Sequence, residues 1–158
     1  MATNRDTIKG SYPLPVYNYR VEIDGRSIAF SEVSGLSMAF ETKTYKESPT
    51  DGTQAPRVMQ MPMQATPPTI TLKRGIVRGG ERLMELYNWL KSIQSNVVDK
   101  KDITISLCDE TGTPVIQWLV MDAFPKKLDA PSFTAESNDA AIESMELVAD
   151  RIMISAAS

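Results

Sequence analysis

The run from Val115 to Phe124, Val-Ile-Gln-Trp-Leu-Val-Met-Asp-Ala-Phe, limits what this chain can become more than any other stretch. Read as a strand, it puts Val115, Leu119, Met121 and Ala123 on one face and Ile116, Trp118, Val120 and Phe124 on the other. A strand with two apolar faces has to be covered on both. In a chain of 158 residues one of those covers can be another copy of the same protein. After a polar passage from Ser132 to Asn138 comes a second apolar stretch, Ala141 to Ile154. Its pattern slightly favours an amphipathic helix, with Ile142, Met145, Val148, Ala149 and Ile152 on one face and Asn138 or Asp139 as cap. As a strand it would show Met145, Leu147, Ala149 and Met153 on one side.

Upstream, the signals are those of short strands. Tyr17, Tyr19, Val21 and Ile23 alternate with Asn18, Arg20, Glu22 and Asp24, a half-buried strand. Asp24-Gly25 is a hairpin turn signal, and Ile28 and Phe30 begin the returning strand. The apolar phase then slips to Val33 and on to Leu36, Met38 and Phe40, which predicts a bulge at Ser34-Gly35. Thr69 to Lys73 is a short strand with Ile70 and Leu72 inward, and Ile103, Ile105 and Leu107 mark another. Asp109 to Pro114 is a turn leading into the Val115 strand. Between them Glu81 to Gln94 is the best helix, with Leu83, Leu86, Leu90 and Ile93 at helical spacing and Tyr87 beside them. That stripe reads as core packing rather than a ligand site. Tyr45 to Pro68 is different: it carries six prolines or glycines and Met59, Met61 and Met63 at alternate positions. It reads as a long loop, either disordered or an adaptable contact arm. Residues 1–15 read as a loose N-terminal arm on a single domain spanning 1–158.

Composition excludes most chemistry. There is no histidine, so the usual general base, metal ligand and pH switch are missing together. The single cysteine, Cys108, excludes an internal disulfide and a multi-cysteine metal site. No nucleophile elbow or phosphate loop occurs, and the pairs Asp109-Glu110 and Glu143 with Glu146 read as a solvated turn and strand face. Lys73, Arg74, Arg78 and Arg82 form the only basic cluster, a solvated face or a source of intersubunit salt bridges rather than a phosphate site. With a net charge of −3, sequence-specific nucleic-acid binding is not expected. No apolar run approaches the roughly 20 residues a membrane helix needs, and no signal peptide is visible, so synthesis and assembly are expected in a bacterial cytoplasm. No catalytic residue, cofactor or metal is expected.

Five blocks, in order from about Pro13 to Met153, resemble the contractile-tail tube family. They are Pro15–Gly25 with Phe30–Leu36, Ile70–Gly75, Trp118–Phe124, Pro125–Leu128, and Ala141–Leu147. The family includes tail-tube proteins of contractile phages, inner-tube proteins of phage-derived extracellular injection systems, and the related type VI secretion tubes. The resemblance implies a mainly β fold, a two-sheet sandwich or barrel of tail-tube type, with one helix over about 81–94 and a long loop over about 46–68. It implies that 139–154 is a long strand. It further implies a structural subunit, not an enzyme, whose rings of six copies stack into a tube with a central channel for cargo, either toxin or DNA. The implied partners are a contractile sheath protein, a baseplate with its spike and a tube terminator, within a virion or a released extracellular particle.

Under this resemblance the 46–68 stretch becomes an arm to neighbouring subunits, with Lys46, Glu47, Asp51, Arg57, Met59, Met61 and Met63 as its contact residues. Leu36, Met38, Phe40, Trp118, Val120, Phe124, Met145 and Leu147 are expected in or beneath the barrel wall. The close opening match favours a phage tail or an extracellular system over a type VI tube, and overall likeness leans to the extracellular system. A second reading is a monomeric β-sandwich module for a ligand or glycan, which would require Trp89 or Trp118 to be exposed.

Overall fold

A computed structural model describes residues 10–50, 52, 55–78, 83–95 and 99–157. Asp51, Gly79-Gly80, Glu81, Arg82 and residues 1–9 of the arm lie outside the described residues. The strands are β1 (Tyr19–Ile23), β2 (Arg26–Ile28), β3 (Glu32–Ser34), β4 (Ala39–Glu47), β5 (Arg57–Thr66), β6 (Thr69–Gly75), β7 (Lys101–Cys108), β8 (Pro114–Asp129), β9 (Ile142–Val148) and β10 (Arg151–Ala156). An α-helix, α1 (Glu85–Lys91), runs into a 3-10 turn over Ser92–Ser95.

All strand pairs are antiparallel, and eight strands run in the order β2-β1-β7-β8-β9-β6-β3, with β10 also beside β8. The two ends of that path, β2 and β3, are joined by only Ala29–Ser31. Four residue steps reach at most about 14 Å. The sheet therefore curls round until its ends nearly meet, leaving a seam along residues 29–31. Asp24 and Gly25, both at positive φ (54° and 83°), make the two-residue turn between β1 and β2 that the sequence signals.

β8 forms the corner. Its first half pairs with β7 on one side and β10 on the other, while its second half pairs with β9. Between them Asp122 adopts φ 54° and its N–H donates to Asp102 Oδ1 at 3.0 Å. Here two residue steps on β7 oppose three on β8, since Ile103 pairs with Val120 and Lys101 with Ala123. Such a bulge bends the strand and flips its side-chain phase. Val120 and Ala123 are both fully buried, although simple alternation put them on opposite faces. The expectation of two continuous apolar faces is corrected accordingly: Leu119 and Met121 are half-buried and Val115 is exposed.

Most of the 139–154 stretch is strand, as the resemblance implies, but it forms two strands from Ile142 onward rather than one. β9 and β10 run in line along β8, broken at Ala149 and Asp150 directly opposite the bulge. Ala149 N–H donates to the Pro68 carbonyl at 3.1 Å and Asp150 N–H to that of Met121 at 3.0 Å. The break shifts the inward phase from Met145, Leu147 and Ala149 to Ile152, leaving Met153 42% exposed.

Two further expectations are corrected. Residues 46–68 are not a loop: β4 and β5 form a hairpin in which Glu47 pairs with Arg57 and Ala39 with Thr66, so only 48–56 connect them. Pro62 sits within β5, which a sheet interior would not allow but a free edge does. The slip at Ser34-Gly35 is a strand end, not a bulge. Gly35 has φ 86° and its carbonyl accepts the N–H of Ser37 at 2.8 Å, turning the chain out of the sheet towards β4. A Cβ at Gly35 would lie 2.2 Å from the Thr69 carbonyl oxygen. Gly35→Ala combines that backbone clash with a disfavoured φ and is expected to lose about 2–4 kcal/mol in urea unfolding.

The core joins Val21, Ile23, Ile103, Ile105 and Val120 from one sheet half to Ile70, Leu72, Met145 and Leu147 from the other, with Leu86 and Trp89 of α1. α1 covers the end of the core at which Ile23, Ile103 and Arg74 lie. Glu85 reaches Arg26 of β2 at 3.1 Å and Arg74 of β6 at 3.7 Å, and Trp89 sits under the Lys101 ammonium with its indole N–H on the Asp99 carbonyl. The buried stripe is Leu86 and Trp89 with Leu90 and Ile93 half-buried, and Leu83 lies outside it.

Candidate assembly surfaces

The charged groups that sequence patterns single out are mostly consumed inside the subunit. Arg74, only 8% exposed, holds Glu143 at 2.6 Å and Glu85 at 3.7 Å. Lys73 pairs with Glu32 across the β3–β6 ladder at 3.0 Å. At Arg74 the basic cluster is thus no solvated face, whereas the Lys73–Glu32 pair remains largely exposed. Glu143 and Glu146 fall on opposite faces of β9, and Glu146 is answered by Lys126 at 3.3 Å. A buried Arg–Glu pair fixes geometry more than it adds stability. Here it fixes α1 to the sheet. Among the described residues no group of three or more His, Cys, Asp or Glu side chains is placed to hold a metal.

What remains open at the surface includes several large apolar side chains. The β4–β5 hairpin has almost no covered side chain. Its odd-numbered face carries Lys43, Tyr45 and Glu47 opposite Met61, Met59 and Arg57. Its other face carries Thr42, Thr44 and Lys46 opposite Pro62, Gln60 and Val58, with Gln60 donating to Thr44 Oγ1 at 2.9 Å. Of the residues assigned to an arm, Met59 and Glu47 are half-buried, while Lys46, Arg57, Met61 and Met63 are exposed. The Glu47–Arg57 pair, at 3.7 Å and solvent-exposed, adds little. Two-stranded hairpins are marginal in water unless something packs on them. Met38 and Phe40 at its base are 57% and 66% exposed, so they are no part of this subunit's own core.

The other residues assigned to the wall divide by depth. Val120, Met145 and Leu147 are fully buried, whereas Leu36, Trp118 and Phe124 are half-buried, the first two of them packed against the core. Leu36 and Trp118 border a groove of about 1040 Å³ at the end of the core opposite α1, together with Tyr17, Tyr19, Phe30 and Leu107. The Tyr19 hydroxyl donates to the Phe30 carbonyl at 2.5 Å across it, and burial first, then the Glu32 carboxylate, raises the hydroxyl's pKa above the usual tyrosine value. β10 contributes a third surface: among the described residues it pairs with β8 alone, and Met153 and Ile154 on it are exposed. An unpaired edge of this kind is a template for another strand.

Sequence reasoning missed two of these features. Tyr45 and Val58 were hidden in the presumed loop, although the alternation Val58, Gln60 and Met59, Met61 is a strand signal interrupted only by Pro62. Phe133, 88% exposed, lies within a stretch that reads as polar. Its signal was the isolation of one large aromatic among small and polar neighbours.

A subunit that leaves a hairpin, a strand edge and the end of its core uncovered is built to be completed by others. The family described as T4-like virus tail tube protein gp19 matches residues 15–153. The chain belongs to the tail tube protein family. Among solved structures, this tail tube protein is 39% identical to a chain of the PVC extracellular contractile injection system sheath-tube complex in its extended state. That match covers 99% of this chain and 100% of the other, with a TM-score of 0.86. It is 38% identical to a chain in the tube terminating cap of the anti-feeding prophage, over 93% of each, with a TM-score of 0.82. Hcp1 from Flavobacterium johnsoniae, at 14% identity and a TM-score of 0.52, shares the fold over 89% of this chain and 97% of that one. None of the curated proteins matches in sequence. The protein is a structural tube subunit of the contractile injection type, and its fold is the mainly β, one-helix tail-tube fold.

Proposed function

We propose that six copies of this protein close into a ring and that rings stack into the hollow inner tube of an extracellular contractile injection particle. In this reading a contractile sheath surrounds the tube, a baseplate with its spike and a terminator bound its ends, and a toxin or effector travels in the lumen. The role is mechanical, with no catalysis assigned to any residue. Synthesis and assembly take place in a bacterial cytoplasm before the particle is released.

The observation that carries this reading is the β4–β5 hairpin, twenty-eight positions from Ala39 to Thr66 with apolar side chains on a ladder that the subunit itself leaves bare. A monomer would leave Phe40, Tyr45, Val58, Met61 and Met63 in water, each forgoing about 1.5–3 kcal/mol of burial. A neighbour that covers them removes that exposure and the free strand edges together. The likeness to chains of a sheath-tube complex and a tube terminating cap supports the same partners. A monomeric binding module gains nothing comparable, since Trp89 is buried and Trp118 is half-buried against the core.

Negative-stain electron microscopy of the concentrated protein, alone and co-expressed with its baseplate proteins, tests the reading. Sixfold rings and stacked hollow tubes are expected. A uniform field of small particles under both conditions would overturn it.

A further inference from the structure

The two ends of the subunit core are unlike each other. At one end α1 covers it, with Glu85 bonded to Arg26 and Arg74. The strand register identifies the other end: Tyr19 pairs with Leu107, and Leu107 with Ile116, whereas Ile23 paired with Arg26 and Lys101 paired with Ala123 mark the α1 end. No element of the described chain covers that other end, and the groove lined by Tyr19, Phe30, Leu36, Leu107 and Trp118 opens there.

The loop over 130–141 leaves from the opposite, α1 end. Its downstream root is Ile142, which pairs with Gly75, and Ala141 accepts the Ile76 N–H at 2.8 Å. The loop is internally tied: Ser137 N–H donates to the Thr134 carbonyl at 3.1 Å and Asp139 N–H to Ser137 Oγ at 3.1 Å. These bonds form a turn just past Phe133, whose ring is the most exposed large hydrophobic side chain described, at 88%. An ordered loop that holds an aromatic ring in water is pre-organised for a partner.

We propose that the Phe133 loop of one copy seats in the open core end of the next copy along the tube axis. A knob at one end and a hole at the other make a heterologous contact that does not close, the symmetry a filament requires. The hairpin connection at 48–56, Ser-Pro-Thr-Asp-Gly-Thr-Gln-Ala-Pro, offers the groove no large apolar side chain. Phe133 does. In the homopolymer each copy then supplies both the plug and the socket, and the groove is covered everywhere except at one end of the tube. This inference rests on the tube reading above and adds to it which surfaces join successive rings.

The test uses assembled full-length tubes. Ser132→Cys with Val16→Cys in one chain leaves Phe133 in place and sets one thiol beside the knob and one at the exposed rim of the groove; Cys108 is buried. Treatment with a short bis-maleimide is expected to give a denaturing-gel ladder running past six copies, with neither single variant giving one. A ladder that stops at six would make the contact lateral, and monomers alone would remove it; either overturns the inference while tubes on the grid leave the tube reading standing. In parallel, Phe133→Asp is expected to cut pelletable tubes at least tenfold, leaving rings in the supernatant and an unchanged unfolding temperature, while Phe133→Leu keeps them. Normal tubes from Phe133→Asp would also overturn it. A parent protein that forms no tubes overturns the tube reading itself, a result no cysteine variant is needed to see.

Discussion

Val120→Asp chain is expected to accumulate as insoluble material, with no folded fraction to purify. Val120 is 0% exposed and lies opposite Ile103 on one side and Ile152 on the other, in the middle of the core. Among the described residues a carboxylate there has no free cation to meet: the two most covered basic side chains near the core, Arg74 and Lys101, sit at the α1 end, already engaged by Glu85, Glu143 and the Trp89 ring. Burying an unpaired charge, or the protonated acid with unmet hydrogen bonds, costs several kcal/mol. Losing the valine methyl packing adds about 1–2 kcal/mol. Against a total stability of about 5–15 kcal/mol, that sum leaves little folded protein. Val120→Ile is the control: it keeps the chemistry and should remain soluble. Soluble, tube-competent Val120→Asp, judged by circular dichroism and microscopy, would show that the β8 corner is not the centre of the fold.

The same corner explains where the sequence could be read and where it could not. β1, β6 and β7 alternate cleanly, so Val21, Ile23, Ile70, Leu72, Ile103 and Ile105 were assigned inward from pattern alone. β8 was recognisable as a long apolar strand, but its phase flip depends on one backbone conformation at Asp122, which no alternation rule carries. The 138–154 pattern misled for a matching reason. Core positions Met145, Ala149 and Ile152 fall at i, i+4 and i+7 because a one-residue slip at Ala149-Asp150 follows two strand steps. A broken strand thus imitates helical spacing, and the resemblance, not the periodicity, settled it. The β4–β5 hairpin was illegible for another reason. A strand that packs on nothing in its own chain shows no inward face in its sequence, and prolines at positions 49, 56, 62, 67 and 68 make the stretch read as a loop. The exposed apolar residues of the hairpin are legible only as an unusual density of methionines.

Excising that hairpin should separate folding from assembly. Ala39 and Thr66 are cross-strand neighbours, so their chain ends lie about 5 Å apart and a short Gly-Ser link can bridge Met38 to Pro67. None of the buried core residues falls between 39 and 66. The shortened chain is therefore expected to unfold at nearly the parent temperature. Tubes, by contrast, should disappear altogether, because the apolar ladder that a neighbour covers has gone and the open edges of the remaining sheet lose their partner strands. Size-exclusion chromatography then distinguishes what the hairpin joins. A population of rings would mean that it links successive rings, while monomers would mean that it closes each ring as well. If tubes of normal diameter formed without it, the bare hairpin would be no assembly element, and the burial argument behind the proposed tube would have to rest on the β10 edge and the groove alone.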